Sequence, residues 1–285
     1  MRFSEDRIEK LTCSDGIQRD IHIWEPETPK AVFLTIHGLF DHGGNYMNPG
    51  IYLREHGFAT LAHNQHGHHQ QKKAHVSRFE VFLDDLELML VWVKEHFQGV
   101  PIFIMGHSMG GLIALHFGIM RFKGDPLVKG FILSSPSLEN SIKTPGIVIK
   151  LARLLSAIAP KMRVPYGDLT QYVTRDKEIY ERHRQDEKDG IMPAKGSARL
   201  AIEFLNAQDW VPEHILEWKH PMLVIVSGDD KLSNAAKTSE LLSQIEGGLV
   251  TEVLYPDNYH ENFNELNREE VFARIVEWAE PRIGE

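Results

Sequence analysis

Four short apolar runs constrain the fold of this chain more than any other feature. They cover residues 31–36, 102–105, 131–133 and 222–226, and each gives way within two residues to glycine or serine. Continuous apolar runs of this length suit strands covered on both faces, as in a parallel sheet between layers of helices. Weaker strand candidates are residues 58–62 and 251–255. Residues 16–25 set Ile17, Arg19, Ile21 and Ile23 against polar neighbours, the alternation of an outer antiparallel strand. Helical segments lie between the runs, at residues 77–97, 108–120, 235–245 and 269–278. The first opens with Ser77 and has Glu80 three residues on, which predicts a capping box. Its Phe82, Leu86, Met89, Val93 and Phe97 form a helical stripe. Alternating strands and helices specify an α/β chain with a doubly wound, mostly parallel sheet. Residues 138–212 break the rhythm, with an apolar helix at 145–159 and a charged stretch at 175–189 but no clear buried strand. An insertion of that length predicts a helical cap or lid. The expected organisation is a core from residues 1–137 and 213–285 and a cap from 138–212.

The chemistry starts at Gly106-His107-Ser108-Met109-Gly110, of the form G-x-S-x-G. It directly follows the run 102–105 and opens the helical segment, the strand–turn–helix context that raises a nucleophilic serine above a sheet edge. A serine is a weak nucleophile without a base, and the base needs an orienting carboxylate. Beyond such an elbow the acid and then the histidine follow in chain order. Ser227-Gly228-Asp229-Asp230 closes the run 222–226 and offers Asp229 or Asp230 as the acid. The chain has 16 histidines, so position must select the base. His260 lies just beyond the last strand candidate and before the last helix. An oxyanion hole needs two converging N–H groups. Met109, after the nucleophile, supplies one, and the turn His37-Gly38-Leu39-Phe40 after the run 31–36 can supply the other from Leu39.

These motifs have a familiar combination. His37-Gly38-Leu39-Phe40-Asp41-His42 with Tyr46, Gly106-His107-Ser108-Met109-Gly110-Gly111, and His260-Glu261 with Asn264-Glu265 resemble the monoacylglycerol lipase and lysophospholipase branch of the α/β hydrolases, also described as serine-aminopeptidase-like. Tyr172-Val173-Thr174-Arg175-Asp176 and Ser197-Ala198-Arg199-Leu200 in the insertion carry the same resemblance. It implies hydrolysis of esters with one long acyl chain, beneath a lid and without a cofactor. It also implies Asp230 as the acid, because in that branch the acid is commonly followed by one residue and then a branched apolar one, as in Asp230-Lys231-Leu232. Two departures stand out. Where the branch has D-x-R-G-H-G-x-S, this chain has Asn64-Gln65-His66-Gly67-His68-His69-Gln70-Gln71, read as a structural segment. Its acid loop is also one residue shorter than the usual G-x-x-D.

Composition narrows the partners. Lys and Arg total 31 against 40 Asp and Glu, a net charge of -9. That balance argues against nucleic acid, which is bound through excess basic residues, and favours a neutral head group over an anionic one. Lys143, Lys150, Arg153, Lys161 and Arg163 form a local basic exception in the cap. Helix 145–159 combines Ile147, Val148, Leu151, Leu154, Leu155 and Ile158 with Lys150 and Arg153. It suits packing on the core, lining an acyl pocket, or transient contact with a membrane surface. His63, His66, His68, His69 and His75 invite a metal reading, but no carboxylate or cysteine is interleaved among them, and they are read as structural. A single cysteine, Cys13, excludes an internal disulfide. No stretch approaches the roughly 18 apolar residues of a membrane span, and the first ten residues lack the apolar run of a secretion signal. A cytoplasmic protein is expected. A thioesterase or peptidase on the same fold is the nearest alternative activity, and the oligomeric state is not legible.

Overall fold

The apolar runs become the centre of one sheet. A computed structural model describes residues 2–68, 74–164, 169–193 and 195–284. Strands β3 (Val32–Ile36), β5 (Ile102–His107) and β9 (Met222–Ser227) are buried at every position, and β6 (Val128–Ser134) is buried from Gly130 onward. With β4 (Ala59–His63) and β10 (Val250–Tyr255) they form the parallel part of an eight-stranded sheet, in which they are ordered β4-β3-β5-β6-β9-β10. Strands β1 (Arg7–Thr12) and β2 (Gln18–Trp24) add the antiparallel edge. Residues 16–25 thus supply an antiparallel strand, but β1 lies outside it. Only Ile8 and Leu11 are apolar in β1, which becomes a strand by pairing with β2 over its whole length.

Successive side chains of a strand point to opposite faces, and both faces here are apolar. Phe33, Phe103, Ile132 and Ile225 pack on one side against α1 (Met47–Glu55) and α8 (Arg268–Ala279), with Trp24 and Phe272. Leu34, Ile104, Leu133 and Val224 pack on the other against α2 (Glu80–His96), α3 (Met109–Met120) and α7 (Ala235–Leu242). The expected capping box of α2 does not form. Phe79 is the N-cap, with no side-chain cap, and its N–H donates instead to Glu203 at 3.1 Å. A tertiary contact has replaced the local one.

Between β6 and β9 lie α4 (Gly146–Ile158), α5 (Lys177–Lys188) and α6 (Ala198–His214), with a two-residue ribbon of β7 (Arg163–Val164) and β8 (Gly196–Ser197). Asp176 and Ser197 cap α5 and α6, accepting from backbone N–H groups of the first turn. Helix α6 runs past residue 212, through Pro212. The apolar stripe of α4 faces outward. Ile147, Val148, Leu151, Leu154 and Ile158 are between 48% and 71% exposed, while Ser156 is the buried residue of the helix. Helix α4 rests on α6, and Arg199 donates to the Ser156 carbonyl at 2.9 Å. Its stripe therefore does not pack on the core. Among the described residues no helix is long and apolar enough to cross a membrane.

Candidate active site

The site forms at the carboxyl ends of the parallel strands, where α/β sheets gather their ligands. Strand β5 ends at His107, and Ser108 turns the chain into α3 with φ 54° and ψ -117°. A serine in that region stores about 1–3 kcal/mol of strain, which the surroundings must hold in place. The Ser108 N–H donates to the Ser134 carbonyl at 2.9 Å, and its carbonyl accepts from Leu112 and Ser137, each at 3.1 Å. The flanking glycines do not supply the unusual dihedral, since neither has positive φ. They supply room. A Cβ on Gly106 would lie 2.2 Å from the Gly110 carbonyl oxygen, and one on Gly110 would lie 2.0 Å from that of Ile36.

Ser108 Oγ lies 2.7 Å from His260 Nε2, and His260 Nδ1 lies 2.7 Å from Asp230 Oδ2. The second Asp230 oxygen accepts from the N–H groups of Leu232 and Ser233 at 2.8 and 2.9 Å. An ionised carboxylate only accepts, so Nδ1 carries its proton and Nε2 is left to accept from the serine. Burial by itself would lower the His260 value. The charge and hydrogen bond of Asp230 outweigh that and raise it. Burial pushes the Asp230 carboxyl up, but His260 more than offsets this and holds it below the usual value. Asp229 turns away, 44% exposed and paired with Lys231. The structure thus brings Asp230, and not Asp229, to the imidazole. Beneath them the His107 ring sits 4.8 Å from that of His260. Its Nδ1–H donates to the Ser134 carbonyl at 3.1 Å, and burial pushes its value down to about 3, so it forms an uncharged floor.

The two candidate oxyanion donors, Met109 and Leu39, stand on segments that border Ser108. Met109 is the first residue of α3, where backbone N–H groups have no partner within the helix. Gly38 lies against Ser108, with a Cβ there 3.4 Å from Ser108 Cβ. His37 Nδ1–H donates to the Gly38 carbonyl at 2.9 Å, and His37 Nε2 accepts from the Gln65 N–H at 3.0 Å. Peptide planarity then turns the Leu39 N–H away from that carbonyl. Asn64 Oδ1 accepts from the Gly43 N–H at 2.7 Å. The Asn64-Gln65 pair, which departs from the family pattern, therefore braces the turn that carries Leu39. The neighbouring histidines have separate surroundings. His66 is 3.4 Å from Asp15, His68 meets the His37 ring edge-on at 5.3 Å, and His75 is 2.8 Å from Ser197 Oγ. His63 is buried at the end of β4, and His69 lies outside the described residues.

Sequence patterns missed several residues of this frame. Asn262 donates to Ser135 Oγ at 3.0 Å, and Ser135 Oγ lies 2.9 Å from Ser227 Oγ. Glu265 accepts from the N–H groups of Tyr259 and Leu266, each at 3.1 Å, and pairs with Arg175 at 3.0 Å. A usable signal existed for some of them. His37, Asn64, His107, Ser134 and Ser227 are polar residues at the carboxyl ends of buried apolar strands, where α/β sheets build sites.

Sheet order, flanking helices and the elbow define an α/β hydrolase of the esterase and lipase type. Residues 27–267 match the Hydrolase_4 family model, described as serine aminopeptidase, S33, and the chain belongs to that family. It is 30% identical over 254 residues to phospholipase YtpA of Bacillus subtilis, covering 87% of this chain and 95% of that protein. It is 26% identical to a monoacylglycerol lipase of Mycolicibacterium smegmatis, covering 92% of this chain and 93% of that one. A longer uncharacterized abhydrolase domain-containing protein of Dictyostelium discoideum is also 26% identical; 97% of this chain aligns with 29% of that protein's length. Among solved structures, a soluble variant of the monoglyceride lipase from Saccharomyces cerevisiae superposes with a TM-score of 0.84. It covers 98% of this chain and 95% of the yeast chain at 21% identity, a likeness of fold.

Proposed function

We propose that the protein hydrolyses carboxylic esters carrying a single acyl chain, of the monoacylglycerol or lysophospholipid kind. The continuous hydrogen-bonded line Ser108–His260–Asp230 carries this reading. Ser108 attacks the ester carbonyl while His260 takes its proton. The N–H groups of Leu39 and Met109 receive the oxyanion. The imidazolium, stabilised by Asp230, passes the proton to the leaving alcohol, and water then cleaves the acyl-enzyme by the same route. The lipid class is supported by relatives named phospholipase and monoacylglycerol lipase. Residues 138–212 act as a cap over the acyl chain, and the outward stripe of α4, with Lys150 and Arg153 on the same helix, touches the lipid surface from which substrate is drawn.

A hydrolysis panel that varies acyl length and head group separately tests this. Each buried CH₂ contributes about 0.8 kcal/mol, so kcat/KM should climb with chain length until the pocket is full. It should also be higher for a monoacylglycerol than for a lysophospholipid of equal length. A maximum at acetate, or faster turnover of thioesters or aminoacyl amides, contradicts the substrate class. A lysophospholipid advantage that fades with added salt reverses the head group.

A further inference from the structure

An amphipathic helix ordinarily turns an apolar stripe inward, and α5 does not. Its buried residues are Ile179, His183 and Asp186, although ionisable side chains are rarely buried unless paired. His183 is paired with the residue that directly follows His260: its Nε2–H donates to Glu261 Oε2 at 2.9 Å. Asn264 Nδ2 donates to the same oxygen at 2.9 Å, and the Glu261 N–H donates to the Val173 carbonyl at 2.7 Å. On the other side of the imidazole, Glu265 takes the Tyr259 N–H and is itself held by Arg175. Thr174 Oγ1 donates to the Asn264 carbonyl at 2.8 Å. His260 stands on a loop beyond β10, with no helix or strand of its own to orient it. The residue after it is gripped directly by Val173 and His183 of the insertion, and the residue before it by Glu265, which Arg175 of the insertion holds in turn.

We propose that His183, acting through Glu261, is a positioning residue that holds the His260 imidazole in line with Ser108, so that α5 belongs to the fixed frame of the site. This rests on the triad reading above. The insertion then divides by function, into a fixed wall around α5 and an outward-facing α4. Several charged or titratable groups face the pair: Asp41 after β3, Tyr46 before α1, His107 at the end of β5, and Arg182 on α5 itself, while Asp230 after β9 faces His260. Burial would lower the His183 value, yet Glu261 raises it above the usual one, with Asp41 helping and Arg182 opposing. Burial would raise the Glu261 carboxyl, yet His183 holds it well below the usual carboxylate range. The Glu261 carboxylate favours a charged His260, and protonation of His183, which Glu261 favours, offsets that field.

Opposite electrostatic signatures therefore separate positioning from mere cohesion. The measurement is kcat and KM against pH with a monoacyl ester, on variants whose folding is checked by circular dichroism. His183→Gln should lower kcat by about ten- to a hundredfold through misplacement of the imidazole, with KM little changed. It should also move the acidic limb of kcat/KM to higher pH, because Glu261 is left unbalanced beside His260. Glu261→Gln should move that limb to lower pH, and His183→Lys should return it toward wild type. Limbs that coincide with wild type in both Gln variants, or an unchanged kcat in both, overturn the proposal. Should His183→Gln not fold, Glu261→Gln keeps the shape of the side chain and carries the test. Labelling of the wild type with a fluorophosphonate probe, abolished in Ser108→Ala, checks the triad separately. Its failure removes the triad reading rather than this inference alone.

Discussion

At Gly110 a single added methyl group decides whether the elbow can close. Its Cβ would sit 2.0 Å from one backbone carbonyl oxygen and 2.9 Å from another, those of Ile36 and His37, and no rotamer change relieves a backbone clash. Overpacking costs about 1–3 kcal/mol, occasionally more. Gly110→Ala should lower the urea midpoint by a corresponding amount and remove activity with it. Ser108→Ala leaves the packing intact and tests the chemistry alone, with an expected loss of at least ~10³-fold in kcat. The two adjacent aspartates give a sharper contrast. Asp230 accepts from the imidazole and from two backbone N–H groups, while Asp229 meets solvent and Lys231. Asp230→Asn should cost about 10⁴-fold in kcat, the effect of losing the right imidazole tautomer in a serine triad. Asp229→Asn should be mild. The reverse order of severity in folded variants moves the acid to Asp229.

Helices α4 and α5 belong to the same insertion and face opposite ways. Helix α5 turns His183 and Asp186 inward to partners on the core, while α4 leaves Ile147, Leu151, Leu154 and Ile158 in water. Substitution of an exposed residue ordinarily changes stability by no more than about 0.5 kcal/mol. Leu151→Ser combined with Ile158→Ser should therefore leave the thermal midpoint nearly unchanged. The same pair should reduce sedimentation with neutral phospholipid vesicles and slow hydrolysis of vesicle-borne substrate more than of dissolved monoacyl ester. A large fall in the midpoint, with vesicle binding intact, assigns the stripe to packing instead.

The histidines set how the whole molecule responds to pH. His37, His63, His68, His107 and His116 are buried and their values are lowered, chiefly by desolvation, to about 4 for His63, His68 and His116 and to about 3 for His107. Such groups take up protons more readily when unfolded, so stability should fall as pH drops below the ordinary imidazole value of 6.5. The depressed carboxylates Asp230 and Glu261 act with the same sign at lower pH. His183 and His260 act with the opposite sign. Their raised values add stability below the ordinary imidazole value, and this is lost as pH rises through those raised values. His66 and His220 are lowered too, so with seven lowered against two raised among the described residues the net loss should lie on the acid side. A urea midpoint followed from pH 8 to pH 5 should decline below about 6.5, and a flat profile would contradict this. Activity should share the acidic limb, because His260 must be uncharged to accept the serine proton.

Strands buried on both faces were legible because each is specified by its own side chains. A short apolar run needs no partner to be recognised, and β3, β5, β6 and β9 all stand where such runs do. The strand–serine–helix turn was equally local, as was the order of acid and histidine. The elements that pattern could not reveal depend on residues far apart in the chain. Strand β1 exists through β2, the cap of α2 comes from Glu203 on α6, and α4 turns outward because α6 occupies the place beneath it. Within the site, the two aspartates after Gly228 were told apart only by resemblance, through Asp230-Lys231-Leu232, and the approach of His260 to Asp230 is a contact between distant segments. His183 on α5 and Glu261 beyond β10 carry no periodicity that announces a pair. A buried charge is tolerated only where another element supplies its counterpart, and that placement is a property of the tertiary structure.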